Sequence, residues 1–478
     1  MSGADFDQDR WSSPQGNVTG LGIVASYSAR FWTLVIGLGV ITGLAAAGLI
    51  GLLRLVERVS YGVHRATLLA AVEAAPGWRR IVVLMVAAVI VILGLRVLRR
   101  SPDAATSTGA TEVTEAIWLR SGRLDFLQSI ARGVLSIVTV AMGVSLGREG
   151  APQVVGAAFA SRVSEWAAVP VWQRRLLVAS GAGAGFAAVY DVPLGGALFA
   201  LEVMLGTLAL PLVLPALLMS LSATAMAWIF LGTKPLYHVA IDRFHPAELV
   251  FAILMGPIIG LVATGWTRLI AWATRRRPQR AGRWFAPAVA FGVLALLSLQ
   301  YPQLLGNGRG IAQLGITGNI GLGLLVMLLL LKPLVTAACV ASGSPGGLFT
   351  PTFAFGVLLA GVGGALWAHV WHGGVPGSYA LIGGAAFLAV AMQAPLAGTV
   401  LVLEMTNHFQ SLVLPTLVAV IEATVLSRKL GAASIYSARL RKGGVLGSSP
   451  PADVGSAAAI GALDEDPRAG EDPRAEWD

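Results

Sequence analysis

Three stretches of small and polar residues interrupt an otherwise apolar chain: Ser101–Trp118 (SPDAATSTGATEVTEAIW), Ser145–Gly156 (SLGREGAPQVVG) and Ser342–Gly356 (SGSPGGLFTPTFAFG). Each reads as a loop opening into a helix. The first turn of a helix carries N–H groups without partners and a partial positive charge, so it attracts anions. Glycine lets the backbone approach an ion with no Cβ in between. Partial charges bind an ion firmly enough to admit it and weakly enough to release it, which suits conduction better than a buried Lys or Arg. Glu149, within Gly147–Pro152 (GREGAP), places a carboxylate at such a helix start. An ionisable residue at membrane depth is a functional candidate by default. Taken singly, each segment also reads as a turn or a helix-packing site, and Glu149 as a dipole-stabilised residue beside Arg148. Three such segments in one chain favour an anion site.

The elements that must position them come in two copies. Phe186–Met204 (FAAVYDVPLGGALFALEVM) and Phe387–Met405 (FLAVAMQAPLAGTVLVLEM) align when Pro193 is set on Pro395. The same alignment matches Leu194 with Leu396, Gly196 with Gly398, Leu201 with Leu403 and Glu202 with Glu404. GREGAP and Gly346–Pro351 (GGLFTP) form a second pair at nearly the same offset, so the repeat unit is half the protein. Two such halves, broken at matching places, are how membrane transporters build a midplane site.

Composition places the chain in a bilayer: 55% of residues are hydrophobic, 12% are charged, and mean hydropathy is +0.73. Apolar runs lie at 31–55, 81–97, 134–146, 208–231, 249–273, 284–299, 320–340, 352–371, 379–403 and 413–426. Several are shorter than the ~20 residues of a full crossing, which predicts tilted and broken helices. The first run follows a polar segment and is too long for a cleaved signal. The fold class expected is an all-α integral membrane protein of two inverted-topology repeats, about 31–232 and 247–430, inside a membrane domain spanning 29–442.

The net charge of +9 sits at membrane edges: Arg96, Arg99 and Arg100; Arg275, Arg276, Arg277 and Arg280; Arg428, Arg439 and Arg441. By the positive-inside rule that side is cytoplasmic, the loop 232–247 is external, and both termini are internal. The same placement removes the reason to invoke nucleic acid. Residues 1–28 and the acidic tail 443–478 have linker composition, which predicts disorder. The single cysteine, Cys339, excludes an internal disulfide framework and reads as a small buried hydrophobe. Only His369 and His372 share a helix face, without a neighbouring carboxylate, and no metal or cofactor is expected. The sequon Asn17-Val18-Thr19 falls in the terminus placed inside. Gly343-Ser344-Pro345-Gly346 resembles a nucleophile elbow only superficially, with no strand before it, so an enzyme is not expected. A cation symporter built on broken helices remains a competing transport class.

GREGAP, GGLFTP, the paired P-L-[GA]-G…LE passages and Tyr436 after the last apolar run resemble the CLC family of chloride channels and chloride/proton exchangers, over roughly residues 30–440. The resemblance implies a homodimer with one chloride pathway per subunit in a bacterial inner membrane. It maps Glu149 onto the gate, and the amides of Leu348 and Phe349 onto central anion donors, with Gly109, Arg148 and Gly150 around them. Tyr436 matches the tyrosine at the inner end. Two departures stand out. Where the family reads G-S-G-I-P, this chain has Ser107-Thr108-Gly109-Ala110-Thr111, which puts Thr108 at the serine position and loses the proline. Thr108 then either donates its hydroxyl to the anion or caps a helix. Where proton-coupled members carry a second, inner glutamate, this chain has Val203, which cannot relay a proton. Glu202 beside it is a relay candidate, or shares a structural role with Glu404. Channel-like or weakly proton-coupled chloride transport is therefore expected; the alternative is antiport along a different proton path.

Overall fold

The computed structural model describes residues 27–62, 67–98, 109–233, 235–239, 244–278, 281–371 and 373–440. These fold into α1 (Ala29–Tyr61), α2 (Leu68–Ala74), α3 (Gly77–Leu98), α4 (Ala110–Leu119), α5 (Phe126–Ala141), α6 (Gly150–Trp166), α7 (Val171–Tyr190), α8 (Pro193–Leu198) and α9 (Leu210–Leu231) in the first half. The second half holds α10 (Pro246–Arg275), α11 (Gly282–Gln300), α12 (Arg309–Thr317), α13 (Leu322–Ala341), α14 (Phe349–Trp367), α15 (Pro376–Met392), α16 (Pro395–Thr406) and α17 (Phe409–Lys429). No sheet forms among the described residues. Eight of the described helices are long and apolar enough to cross a membrane, and the protein is a multi-pass integral membrane protein.

The halves repeat one another in packing as well as in sequence. α1 packs on α9 as α10 packs on α17, α6 on α7 as α14 on α15, and α7 on α9 as α15 on α17. In lipid, helices associate by close packing rather than by a hydrophobic drive, so small residues line these contacts. Gly156 and Gly181 bring α6 and α7 together so closely that a Cβ on either would meet the other's backbone carbonyl.

The apolar run 379–403 is two helices. The chain turns at Gln393, φ 57°, before Pro395 opens α16, and the first half does the same at Asp191, φ 59°, before Pro193 opens α8. Proline favours a helix's first position, and the residue before it is pushed out of helical geometry. α6, α7 and α8 are absent from the apolar runs because their glycines and alanines dilute hydropathy without exposing the helices to water. Residues 1–26 and 441–478, with the sequon and nearly all of both tails, lie outside the described residues, as does His372.

α8 and α16 meet across the two halves and cap each other. Glu404 at the end of α16 accepts the N–H groups of Leu194 (3.1 Å) and Gly195 (2.7 Å), which open α8. Glu202 accepts those of Leu396 (3.3 Å) and Ala397 (2.6 Å), which open α16. Helix starts inside a bilayer have no water to satisfy them, so each half supplies the other's missing acceptor. The symmetry stops at the backbone of Phe199–Leu205, which winds as a π-helix where its counterpart in α16 is α-helical.

Glu202→Ala and Glu404→Ala should each remove about 1–2 kcal/mol. Thermal unfolding in detergent should show both variants melting below the wild type by similar amounts; an unchanged midpoint for either would remove the mutual cap.

Candidate functional site

α5 and α13 both stop within the interior, and the chain turns back through GREGAP and GGLFTP into α6 and α14. The two motifs join through a two-residue antiparallel bridge: Gly147 N–H donates to the Gly347 carbonyl (2.7 Å) and Gly347 N–H to the Gly147 carbonyl (2.8 Å). One backbone group from each half satisfies the other at the level where both helices begin. Gly109, at the start of α4 with φ 66°, completes the convergence: a Cβ there would stand 3.3 Å from Gly150 Cα and 3.7 Å from the Gly346 carbonyl oxygen. All three broken segments thus meet in one place through their described parts.

Glu149 lies at that junction, 1% exposed. Its side chain leaves the start of α6 and enters the start of α14. Oε1 accepts the N–H of Phe349 at 2.7 Å and that of Thr350 at 3.4 Å. Oε2 accepts from the Thr350 hydroxyl at 3.0 Å and the Tyr190 hydroxyl at 3.1 Å. Four donors converge on one carboxylate. A Cβ on Gly147 or Gly347 would run into the carboxylate where it lies, so the two bare glycines give Glu149 its room.

The remaining candidates fall around this seat. Phe349 contributes one amide to Glu149, and the second amide bonded to it belongs to Thr350 and not to Leu348. Gly150 begins α6, and a Cβ on it would stand 3.1 Å from Gly347 N. Arg148 forms no ion pair with Glu149 and instead stands over the Tyr190 ring at 5.3 Å. Tyr436 is buried and edge-on to Phe199 at 6.0 Å. Its segment is tied down by Ile435 N–H to the Ala391 carbonyl (2.7 Å) and by Arg439 to the Thr111 hydroxyl (3.1 Å). Between Tyr190 and Tyr436 runs a file of rings: Phe349 is 5.8 Å from Tyr190 and 4.6 Å from Phe186, which stacks on Phe199 at 5.4 Å. Val203 is buried in the π-helical turn, and Glu202 beside it is held by the α16 amides. Thr108 lies outside the described residues.

Three groups escape a reading of the sequence. Tyr190 and Thr350 are one; their hydroxyls stand in plain view inside two of the motifs, but only the fold brings them together. A second is the buried pair Glu112–Arg132, 2.9 Å apart, with the Ser129 hydroxyl donating to the same carboxylate oxygen at 2.8 Å. It borders a cavity of about 10 Å³ against Gly109, Ser136, Gly150 and Gly346, room for about one water. The third is Lys332 in α13, 1% exposed, which donates to the carbonyls of Leu304 (3.0 Å) and Gly306 (2.9 Å). Ser344 bonds the Ser342 hydroxyl at 2.7 Å.

The family model described as voltage gated chloride channel matches residues 87–428. The chain belongs to the CLC family. A relative from Cronobacter sakazakii named H(+)/Cl(-) exchange transporter ClcA is 30% identical over 401 residues, 79% of this chain and 83% of that protein. A relative from Salmonella typhimurium named voltage-gated ClC-type chloride channel ClcB is 30% identical over 416 residues, 84% of this chain and 96% of that protein. The crystal structure of a slow cyanobacterial Cl-/H+ antiporter superposes with a TM-score of 0.76 at 22% identity, covering 86% of this chain and 97% of that one. The crystal structure of a CLC-type fluoride/proton antiporter does so with a TM-score of 0.69 at 20% identity, covering 86% and 97%. The two structures establish the shared fold.

Because the Glu149 carboxylate occupies the α14 start, an anion there must compete with it. Bromide-soaked crystals of Glu149→Gln should show an anomalous peak beside the Phe349 and Thr350 amides that the wild type lacks at neutral pH. A peak of equal height in both would mean that Glu149 is not a competitor.

Proposed function

We propose that this protein transports chloride across a bacterial inner membrane, through a pathway in each subunit that Glu149 opens and closes. The observation that carries the reading is the four-donor seat at the start of α14, filled by a carboxylate from the other half of the protein. Protonation cancels the charge that holds Glu149 there, and a chloride ion takes the vacated amides. Both 30%-identical relatives carry names that specify chloride. Thr108, Gly109 and Gly150 complete the anion's surroundings, and Tyr436 marks the inner end of the route. Both termini lie in the cytoplasm, a placement that the arginine distribution supports.

Coupling to protons is weak or absent on this reading. Val203 supplies no titratable group at the inner position, and both oxygens of Glu202 already serve the α16 amides. Antiport along another proton path is the second reading, favoured by the relative named an exchanger. Two copies associate through the face that carries Leu194 and Leu396, 46% and 45% exposed at the mutually capped helix starts, together with Leu214 and Leu221 on α9 and Leu414 and Ile421 on α17. An apolar face of this kind accommodates a second copy as readily as lipid.

Proteoliposome assays separate these readings. Chloride efflux should rise as pH falls in the wild type and become pH-independent in Glu149→Gln; identical pH profiles would remove Glu149 as the gate. A chloride gradient should drive little uphill proton movement, with a reversal potential near the chloride equilibrium value. Proton pumping at a fixed ratio to chloride would establish the antiport reading instead.

A further inference from the structure

We propose that the Tyr190 and Thr350 hydroxyls form a latch that holds the charged Glu149 carboxylate in its seat and, when it leaves, lends a donor to the anion that replaces it. The inference rests on Glu149 being the gate.

The geometry is a triangle of oxygens. Glu149 Oε2 lies 3.0 Å from Thr350 Oγ1 and 3.1 Å from the Tyr190 hydroxyl, and the two hydroxyls are 2.8 Å apart. Each hydroxyl owns one proton, so two protons serve three edges while Glu149 is charged. Both protons then point at Oε2, and a charge-assisted hydrogen bond is roughly twice as strong as a neutral one. When Glu149 is neutral that preference disappears. When it departs, one hydroxyl donates to the other across 2.8 Å, so the pair stays satisfied without the gate. The second proton stays free to point into the seat, beside the N–H groups of Phe349 and Thr350. Three donors thus wait for the anion where the backbone alone would offer two.

Both hydroxyls are fixed in place. Tyr190 is 2% exposed and ends α7, wedged between the Phe349 ring at 5.8 Å and the Arg148 guanidinium at 5.3 Å. Thr350 is 1% exposed in the first turn of α14. The other charged and titratable groups facing the triangle are Arg148 and Arg309, with Glu57 beyond them, Tyr237 from the loop before α10, and Tyr436 from below. Among the described residues none of these is a carboxylate or imidazole bonded to Glu149, so the two hydroxyls and two amides are its direct partners.

Chloride efflux against pH tests the latch in Tyr190→Phe and Thr350→Val, which preserve shape and delete one hydroxyl each. Losing one charge-assisted bond should raise efflux at pH 7.5 about tenfold and move the half-maximal pH upward by about one unit. Thr350→Ser restores the hydroxyl and should restore the wild-type profile, which a packing role would not predict. In the Glu149→Gln background every deletion should leave efflux pH-independent. Each single deletion keeps one hydroxyl to donate to the anion and should leave chloride binding unchanged, while Tyr190→Phe combined with Thr350→Val should weaken it about threefold by calorimetry. Wild-type profiles in both deletions, with Glu149→Gln pH-independent, would overturn the latch and leave the gate standing. A pH-dependent Glu149→Gln would overturn the gate and the latch together.

Discussion

A helix that begins inside a bilayer exposes N–H groups that neither water nor its own backbone can satisfy, and this fold begins several helices there. The starts of α8 and α16 are closed by carboxylates that the two halves exchange, Glu404 for one and Glu202 for the other. The start of α14 is also closed by a carboxylate from the opposite half, Glu149, but with different surroundings. Glu202 and Glu404 are partly exposed and are met by backbone amides. Glu149 is buried and is met by two amides and two hydroxyls that can bond each other instead. One physical need, an acceptor for an orphan helix start, is met twice by a cap made of backbone bonds and once by a carboxylate two of whose four partners, the hydroxyls, can bond each other instead. The Gly147–Gly347 bridge makes the third case possible, because it sets the end of one half's motif directly against the other's.

Much of this is legible in the residues because an internal repeat is read by comparing a chain with itself. Pro193 and Pro395 mark the two helix starts, and the alignment of Glu202 with Glu404 anticipates a shared structural role that takes the form of mutual capping. GREGAP and GGLFTP announce closely approaching backbones, and the collision a Cβ would make at Gly147 or Gly347 is the physical content of those glycines. What cannot be read is whatever depends on which surfaces meet. Tyr190 and Thr350 are 160 residues apart, and nothing in either motif says that their hydroxyls share one carboxylate oxygen. Glu112 and Arg132 likewise stand in separate segments, and Lys332 sits in a run whose apolar neighbours conceal it. That Glu149 reaches the Phe349 and Thr350 amides rather than the Leu348 amide is of the same kind, because the direction in which a carboxylate enters a helix start is a tertiary fact.

The repeat is also where the halves stop being equivalent. Phe199–Leu205 and its partner in α16 share the Leu-Glu pair of the repeat, yet one is π-helical and the other α-helical. A π-turn inserts a residue into the helical ladder and shifts which carbonyl each N–H reaches. Here the Met204 carbonyl accepts the indole N–H of Trp118 at 2.8 Å, from α4. The end of α16 meets a different neighbour: the Met405 carbonyl accepts the N–H of Leu236, from the loop before α10, at 3.1 Å. The first half therefore ties the end of its capping segment to the helix that follows Gly109, and Val203 lies within that π-turn. The mutual caps tie the halves together, and the π-turn sits in the first half with both Glu202 bonds to α16 intact. Glu202, immediately before Val203 in that π-turn, gives both carboxylate oxygens to the amides that open α16, so the turn that breaks the symmetry also carries the cap.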